Sequence, residues 1–293
     1  MPLTHLLVAL AVAFVWGTNF VVIKHGLADF PPFLFAALRF VFSCLPWVLF
    51  IGKPPVSWGK LAAFGLFQGA GQFGLLYYAM RADISAGLAS LVVQSQVFFT
   101  IGAAVLWLGE RIRMLQAGAL GLAAAGVGII AWRSAADSTA AVTLFGVMLT
   151  LGAGLSWAAS NLVARSAGRV NMLGFVVWSS LFAILPLVGF SVWLDPPSSQ
   201  VDSLAHAGPG AWCAVLWQAL GNTLFGYGCW NWLLAHHPSW KVVPVALLVP
   251  IFGIGASWLL LDESLPPWKL AAACLIVASL AVNTFASIRE QHR

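Results

Sequence analysis

The chain is 293 residues long, 61% hydrophobic and only 8% charged, with a mean hydropathy of +0.92. Soluble domains carry about 25% charged residues, so this composition cannot coat a soluble particle and points to an integral membrane protein. The net charge of +5 contains no basic run, which argues against a nucleic-acid surface.

The apolar runs are about twenty residues long, too long for barrel strands, so the spans are helices and the fold class is all-α. Ten spans are predicted, at about 4–24, 31–51, 59–80, 84–108, 113–132, 142–165, 171–194, 211–234, 240–261 and 267–287. The first continues into a polar, aromatic stretch instead of a small-residue cleavage site, which predicts a retained span and no cleavable signal. Cys44, Cys213, Cys229 and Cys274 all fall in apolar runs without a CxxC pair and read as buried small hydrophobes. No metal or other cofactor is implied.

A polar side chain inside a span must find a partner or face a wet cavity, so each one is a candidate for a transport pathway. In span one, Trp16, Asn19 and Phe20 share a helical face, and Trp157, Ser160 and Asn161 repeat that face in span six. Either asparagine alone reads as a helix-joining residue; the recurrence favours a shared cavity lining. Arg39 lies eight residues into span two, roughly 12 Å deep. Two readings of it stand: a cavity-facing fork for the carboxylate of an amino acid, or a structural residue that braces helix ends or unwound carbonyls or snorkels. Gln68 and Gln72 share a face of span three, with Tyr77 and Tyr78 further along. In span four, Gln94 and Gln96 sit about 200° apart on an ideal helix, so both can face one cavity only if that helix is distorted. Ala117, Gly121 and Ala125 in span five predict close helix packing. Trp178 in span seven is read with Trp16, Trp157 and Tyr227 as an aromatic lining. The segment Asp195–Gly210, rich in Pro, Ser and Asp, reads as a surface loop. In span eight Tyr227, Trp230 and Asn231 share a face, although a tryptophan near a span end also suits an interfacial anchor. Pro250 predicts a kink in span nine, more firmly than one at the equivalent point of span four.

The stretch VFFTIGAAVLWLGE (97–110) comes back as PIFGIGASWLLLDE (250–263), a shift of 153 residues. Trp16 to Lys24 and Trp157 to Arg165 share a spacing, and Leu45-Pro46 matches Leu185-Pro186. The chain therefore reads as two repeats, residues 1–140 and 141–293, of five spans each. An odd number of spans per repeat forces the second through the membrane upside down, with a substrate site between the halves near mid-membrane. Lys53, Lys60, Arg111, Arg113, Arg165, Arg169, Lys241, Arg289 and Arg293 fall on the side of the N-terminus, against Lys24, Arg81, Arg133 and Lys269 on the other, so both termini are expected in the cytoplasm.

Dispersed motifs cover both repeats: VWGTNFVVIK (15–24), PPFLFAALRF (31–40), AGLASLVVQSQVFFTI (86–101), LGERI (108–112), LSWAASN (155–161) and LLVPIFG (247–253). In these the chain resembles the EamA family of the drug/metabolite transporter superfamily. The resemblance implies a bacterial inner-membrane exporter of amino acids or related metabolites, of the O-acetylserine and cysteine type. Glu110 and Glu263 follow the family's glycine–glutamate pattern, with Asp262 in place of the second glycine, and are expected to cap a helix or pair with a basic residue.

The expected activity is alternating access, the halves rocking around a cavity lined by Trp16, Asn19, Arg39, Gln72, Gln94, Gln96, Trp157, Asn161, Trp178, Tyr227 and Trp230. The partners expected are a small-molecule substrate and membrane lipid, with no nucleic acid. Every Asp, Glu and His falls in a loop or at a span end, so no titratable group is placed to carry proton coupling and downhill facilitation is expected. An intramembrane enzyme would need clustered Ser/His/Asp, paired Asp or metal-spaced His within spans, and none occurs. A channel would call for pore-lining rings. Carriage of drugs or nucleotide sugars is the alternative within transporters.

Overall fold

The computed structural model describes residues 1–108, 114–136, 142–168, 170–237 and 242–291. Helix accounts for the regular structure among these residues, apart from one bridge between Ile84 and Val142. In an apolar medium every backbone N–H and C=O must be satisfied within the chain, and a helix does this segment by segment. Polar caps and prolines mark the starts. Ser57, Ser85, Thr143 and Asn171 accept from the backbone N–H three residues on, while Pro32, Pro197 and Pro209 occupy first turns.

The α-helices, in chain order, are α1 (Leu3–Asp29), α2 (Pro32–Cys44), α3 (Trp58–Phe64), α4 (Leu75–Ala82), α5 (Ala86–Val92), α6 (Gln96–Leu108), α7 (Met114–Ala136), α8 (Leu144–Ser166), α9 (Met172–Leu194), α10 (Pro197–His206), α11 (Pro209–Leu216), α12 (Gly226–His236), α13 (Leu248–Leu260) and α14 (Pro267–Gln291). A π-helical stretch, Gly65–Gly74, joins α3 to α4, and another, Trp217–Phe225, joins α11 to α12. Tight 3₁₀ turns, Val93–Ser95 and Val243–Leu247, precede α6 and α13. Among the described residues, seven stretches are long and apolar enough to cross a membrane, and Val245–Leu260 is a shorter apolar helix. Large apolar side chains such as Phe14, Phe67, Leu185, Trp193 and Leu259 are exposed on the outside of the bundle, as a lipid-facing surface requires.

Helix pairing is selective: α1 packs on α13 and on the α11–α12 run, α8 packs on α6 and on the α3–α4 run, α2 pairs with α9, and α7 with α14. The α1–α13 crossing closes on Gly17, where an added Cβ would stand 2.5 Å from Phe252 Cβ and 2.6 Å from the Val249 carbonyl. Gly154 of α8 lets the 3₁₀ turn at the head of α6 approach in the same manner, with Ser95 Oγ 2.6 Å from the missing Cβ.

Several expectations are corrected here. Ala117, Gly121 and Ala125 are exposed on the outer face of α7; its packing face is Ala119, Ala123, Gly126 and Ile130, against Ala272 and Ile276 of α14. Periodicity alone leaves both faces of such a small-residue helix eligible. Within Asp195–Gly210, ten residues form α10, an exposed helix with no buried side chain. Pro250 sits in the first turn of α13, where it costs no hydrogen bond, and the irregularity precedes it at Val243–Leu247. The two Leu-Pro pairs differ: α2 stops at Cys44 before Pro46, whereas Pro186 lies inside α9. Of the four cysteines, all free, only Cys44 is fully buried; Cys213 and Cys274 are exposed.

The bundle has two distinguishable ends. At one end His5 meets His237, and Lys60 donates to the Ser166 carbonyl. At the other, Lys24 donates to the carbonyls of Met80 and Arg81, Arg81 pairs with Asp195, Thr143 donates to Asp83, and Glu263 pairs with Lys269 at 3.0 Å. Asp262 has φ +51°, a left-handed conformation that glycine adopts freely and aspartate tolerates, which explains the residue exchange at the second glycine–glutamate site. Glu110 lies outside the described residues.

Candidate functional site

A cavity of about 410 Å³ lies in the middle of the bundle. It sits between α1, α8, the two π-helical runs and the 3₁₀ turns, with α9 and α14 completing the wall. The lining reaches Ala164 and Met172 at the end that holds the His5–His237 contact, and it stops at Ile23 and Leu76, short of the polar links at the other end.

Nine of the eleven candidate residues line this cavity. Trp16 and Asn19 come from α1, Gln72 from the first π stretch, Gln94 from the 3₁₀ break before α6, Gln96 from the first position of α6, Trp157 and Asn161 from α8, and Tyr227 and Trp230 from α12. The break resolves the angular conflict in span four. Val93–Ser95 is wound as a 3₁₀ turn, so Gln94 and Gln96 both reach the cavity. The Trp16 ring rests against Tyr227 and Trp230, with centroids 5.5 and 5.3 Å away, and its Nε1 donates to the Asn222 carbonyl.

Amide groups knit the other wall. Asn161 Nδ2 donates to Gln96 Oε1 at 2.9 Å, Gln68 Nε2 donates to the Tyr227 hydroxyl at 2.7 Å, and Ser160 donates to Gln68 Oε1. Asn19 Oδ1 and Gln72 Oε1 are buried without a protein partner. At the repeat offsets, the polar pair Asn161–Gln96 corresponds to the apolar pair Phe20–Val249, both of which line the cavity. At this pair of positions the lining is polar on one side and apolar on the other, while Asn19, Asn222, Asn283 and Thr284 bring further polar groups to it. Among the described lining residues there is no carboxylate, lysine, arginine or histidine.

Arg39 and Trp178 are not part of this lining. Trp178 turns away from the cavity, donating to the Ile51 carbonyl at 2.8 Å and packing edge-on to Trp58. Arg39 is fully buried behind the wall. Its guanidinium donates to Thr223 Oγ1 at 3.0 and 3.2 Å, to the Tyr77 hydroxyl at 3.1 Å and to Gln218 Oε1 at 3.1 Å, and lies 3.6 Å from the ring centre of Phe73. Phe73 itself lines the cavity. The lining further includes Gln68, Asn222, Asn283 and Thr284. Asn222 and Asn283 are polar residues inside predicted apolar spans, which is the signal that could have found them.

A bundle with an apolar exterior and a central hollow walled by neutral amides and aromatic rings is a polytopic membrane protein with a small-molecule site. The EamA-like transporter family model matches the chain twice, over residues 3–132 and 144–285, and the chain belongs to that family. It is a transporter, not an enzyme, embedded in a membrane and handling a small-molecule substrate. It is 38% identical over 94% of its length to a probable amino-acid metabolite efflux pump of Salmonella typhimurium, and 37% identical over the same share to one of Escherichia coli; 93% of each relative is covered. A solved crystal structure covers 99% of both chains with a TM-score of 0.62 at 16% identity, a likeness of fold alone.

Proposed function

We propose that this protein exports amino acids or related small metabolites from the bacterial cytoplasm across the inner membrane, by alternating access of the central cavity. The observation that carries this reading is the cavity: large enough for a small solute, and lined by neutral hydrogen-bonding groups interspersed with apolar and aromatic side chains. An amphipathic zwitterion with a small side chain matches that mixture. The naming of relatives at 37–38% identity as probable amino-acid metabolite efflux pumps supports the substrate class.

The architecture proposed is ten crossings in two inverted halves, residues 1–140 and 141–293. The pairing supports it, because exchanging the halves maps α1 on α13 onto α8 on α6, maps α1 on the α11–α12 run onto α8 on the α3–α4 run, and leaves α2–α9 and α7–α14 unchanged. The π stretches, beginning at Gly65 and Trp217, and the 3₁₀ breaks recur at nearly the offset of the sequence repeat. With the bias of basic residues placing the His5–His237 end in the cytoplasm, the cavity faces inward and the Lys24–Glu263 end is the closed outer gate. No carboxylate or histidine lines the described wall, so the transport proposed is downhill, without proton coupling.

The test is counterflow in proteoliposomes with a panel of radiolabelled amino acids. Saturable accumulation of label, competed by unlabelled substrate and indifferent to an imposed pH step, is the expected result. Uptake linear in concentration would indicate a channel, and accumulation driven by the pH step alone would overturn the downhill reading.

A further inference from the structure

We infer that Arg39 is the charge filter of the transport site: an uncompensated cation held one ring's thickness behind the wall, which admits carboxylate-bearing and zwitterionic solutes and rejects amines that lack a carboxylate. The inference rests on the reading of the cavity as an amino-acid site and adds a rule for which charges it accepts.

The groups facing Arg39 are neutral. Its hydrogen bonds go to two hydroxyls and an amide oxygen, and its planar face lies on Phe73. Asp195 pairs with Arg81, Glu263 with Lys269 and Asp202 with His206, Asp83 accepts from Thr143, and no ion pair to Arg39 occurs among the described residues. Hydrogen bonds from neutral oxygens keep the guanidinium solvated without cancelling its charge. In a low-dielectric interior that charge acts over a longer range than in water, and clefts with such walls focus the field on what they contain. Phe73 links the two places: one face meets the guanidinium at 3.6 Å and the residue lines the cavity. Because the lining itself holds no ionised group among the described residues, nothing there opposes the field. A brace alone would be served by any set of donors in this position. A permanently charged donor with no counter-charge is what makes the arrangement a selector.

Gln218 provides a test that leaves packing alone. Its Oε1 accepts from Arg39 and from Tyr77, while its Nε2 has no partner. Gln218→Glu therefore keeps both accepted bonds, breaks none, and sets a carboxylate against the guanidinium. Binding of three probes on one aromatic scaffold, 3-phenylpropionate (anion), phenylalanine (zwitterion) and phenethylamine (cation), is measured by calorimetry on purified protein in nanodiscs, alongside the counterflow assay. The wild type and Arg39→Lys should bind the first two at least about tenfold more tightly than the amine. In Gln218→Glu and Arg39→Gln the three affinities should converge to within about twofold. Equal affinities in the wild type, a ranking that survives in both neutralised variants, or no binding by any of the three would overturn the inference. Counterflow that proceeds without charge ranking removes this inference alone, whereas wild-type protein with no amino-acid counterflow removes the export reading on which it rests.

Discussion

Glutamine and asparagine do at this site what charged residues do at many others. An amide offers donor and acceptor without an ion's desolvation cost, so a wall of amides can hold a zwitterion and release it. The Asn161–Gln96 bond shows how firmly such a wall is set: one amide orients the other, leaving defined groups toward the cavity. Gln96→Leu would strip the acceptor from Asn161 and leave its half-buried donor without that partner. Transport by this variant should show KM raised about tenfold with little change in expression, read from concentration-dependent counterflow. At this scale the sequence was informative about residue type and weak on direction. Trp16, Asn19 and Trp157 could be placed by helical spacing. Arg39 and Trp178 could not, because an interior side chain can point into a cavity or behind its wall at the same depth. Gln68 shared a face with Gln72 and both reach the lining.

Two kinds of irregular winding position these side chains. The 3₁₀ breaks before α6 and α13 turn consecutive residues inward, and the π stretches widen the helices that face α1 and α8. The π stretches were not legible in advance; the break before α6 showed only as the distortion that Gln94 and Gln96 need to share a cavity, and Pro250 pointed to a kink just after the actual break before α13. Close crossings are equally local. Gly17→Val would drive a branched side chain into the Val249 carbonyl and Phe252, forcing α1 away from α13 at a cost of about 1–3 kcal/mol. A lower melting temperature in detergent, with broadened gel filtration, is the expected outcome. At the Lys24–Glu263 end, Glu263 pairs with Lys269 and accepts weakly from the Gly87 N–H, tying the α13–α14 turn to the start of α5. Glu263→Gln weakens that tie. With a single cysteine at Ile23→Cys, in protein lacking its four native cysteines, a membrane-impermeant thiol reagent applied from outside should label faster in the Glu263→Gln background. Unchanged labelling would mean this pair does not hold the outer end shut.

At the scale of the whole molecule, composition alone was enough to assign a helical membrane bundle, because so few charges leave no other environment for the chain. The doubling we propose rests on the glycine–glutamate span ends and on the Trp16 and Trp157 faces, where the sequence repeats similar residues. Elsewhere the proposed repeat is harder to read, because α10 adds residues after α9 and because Pro46 and Pro186 have unequal fates. The pairing of α1 with α13 and of α8 with α6 places the cavity where four such runs meet, and this is why residues distant in sequence converge on one cavity. The measurement that tests this account most directly uses Asn161→Cys in protein lacking its native cysteines. A bulky thiol reagent attached there should reduce amino-acid counterflow at least about tenfold, and saturating substrate should slow the labelling. Complete labelling with counterflow unchanged would show that the solute travels by another route.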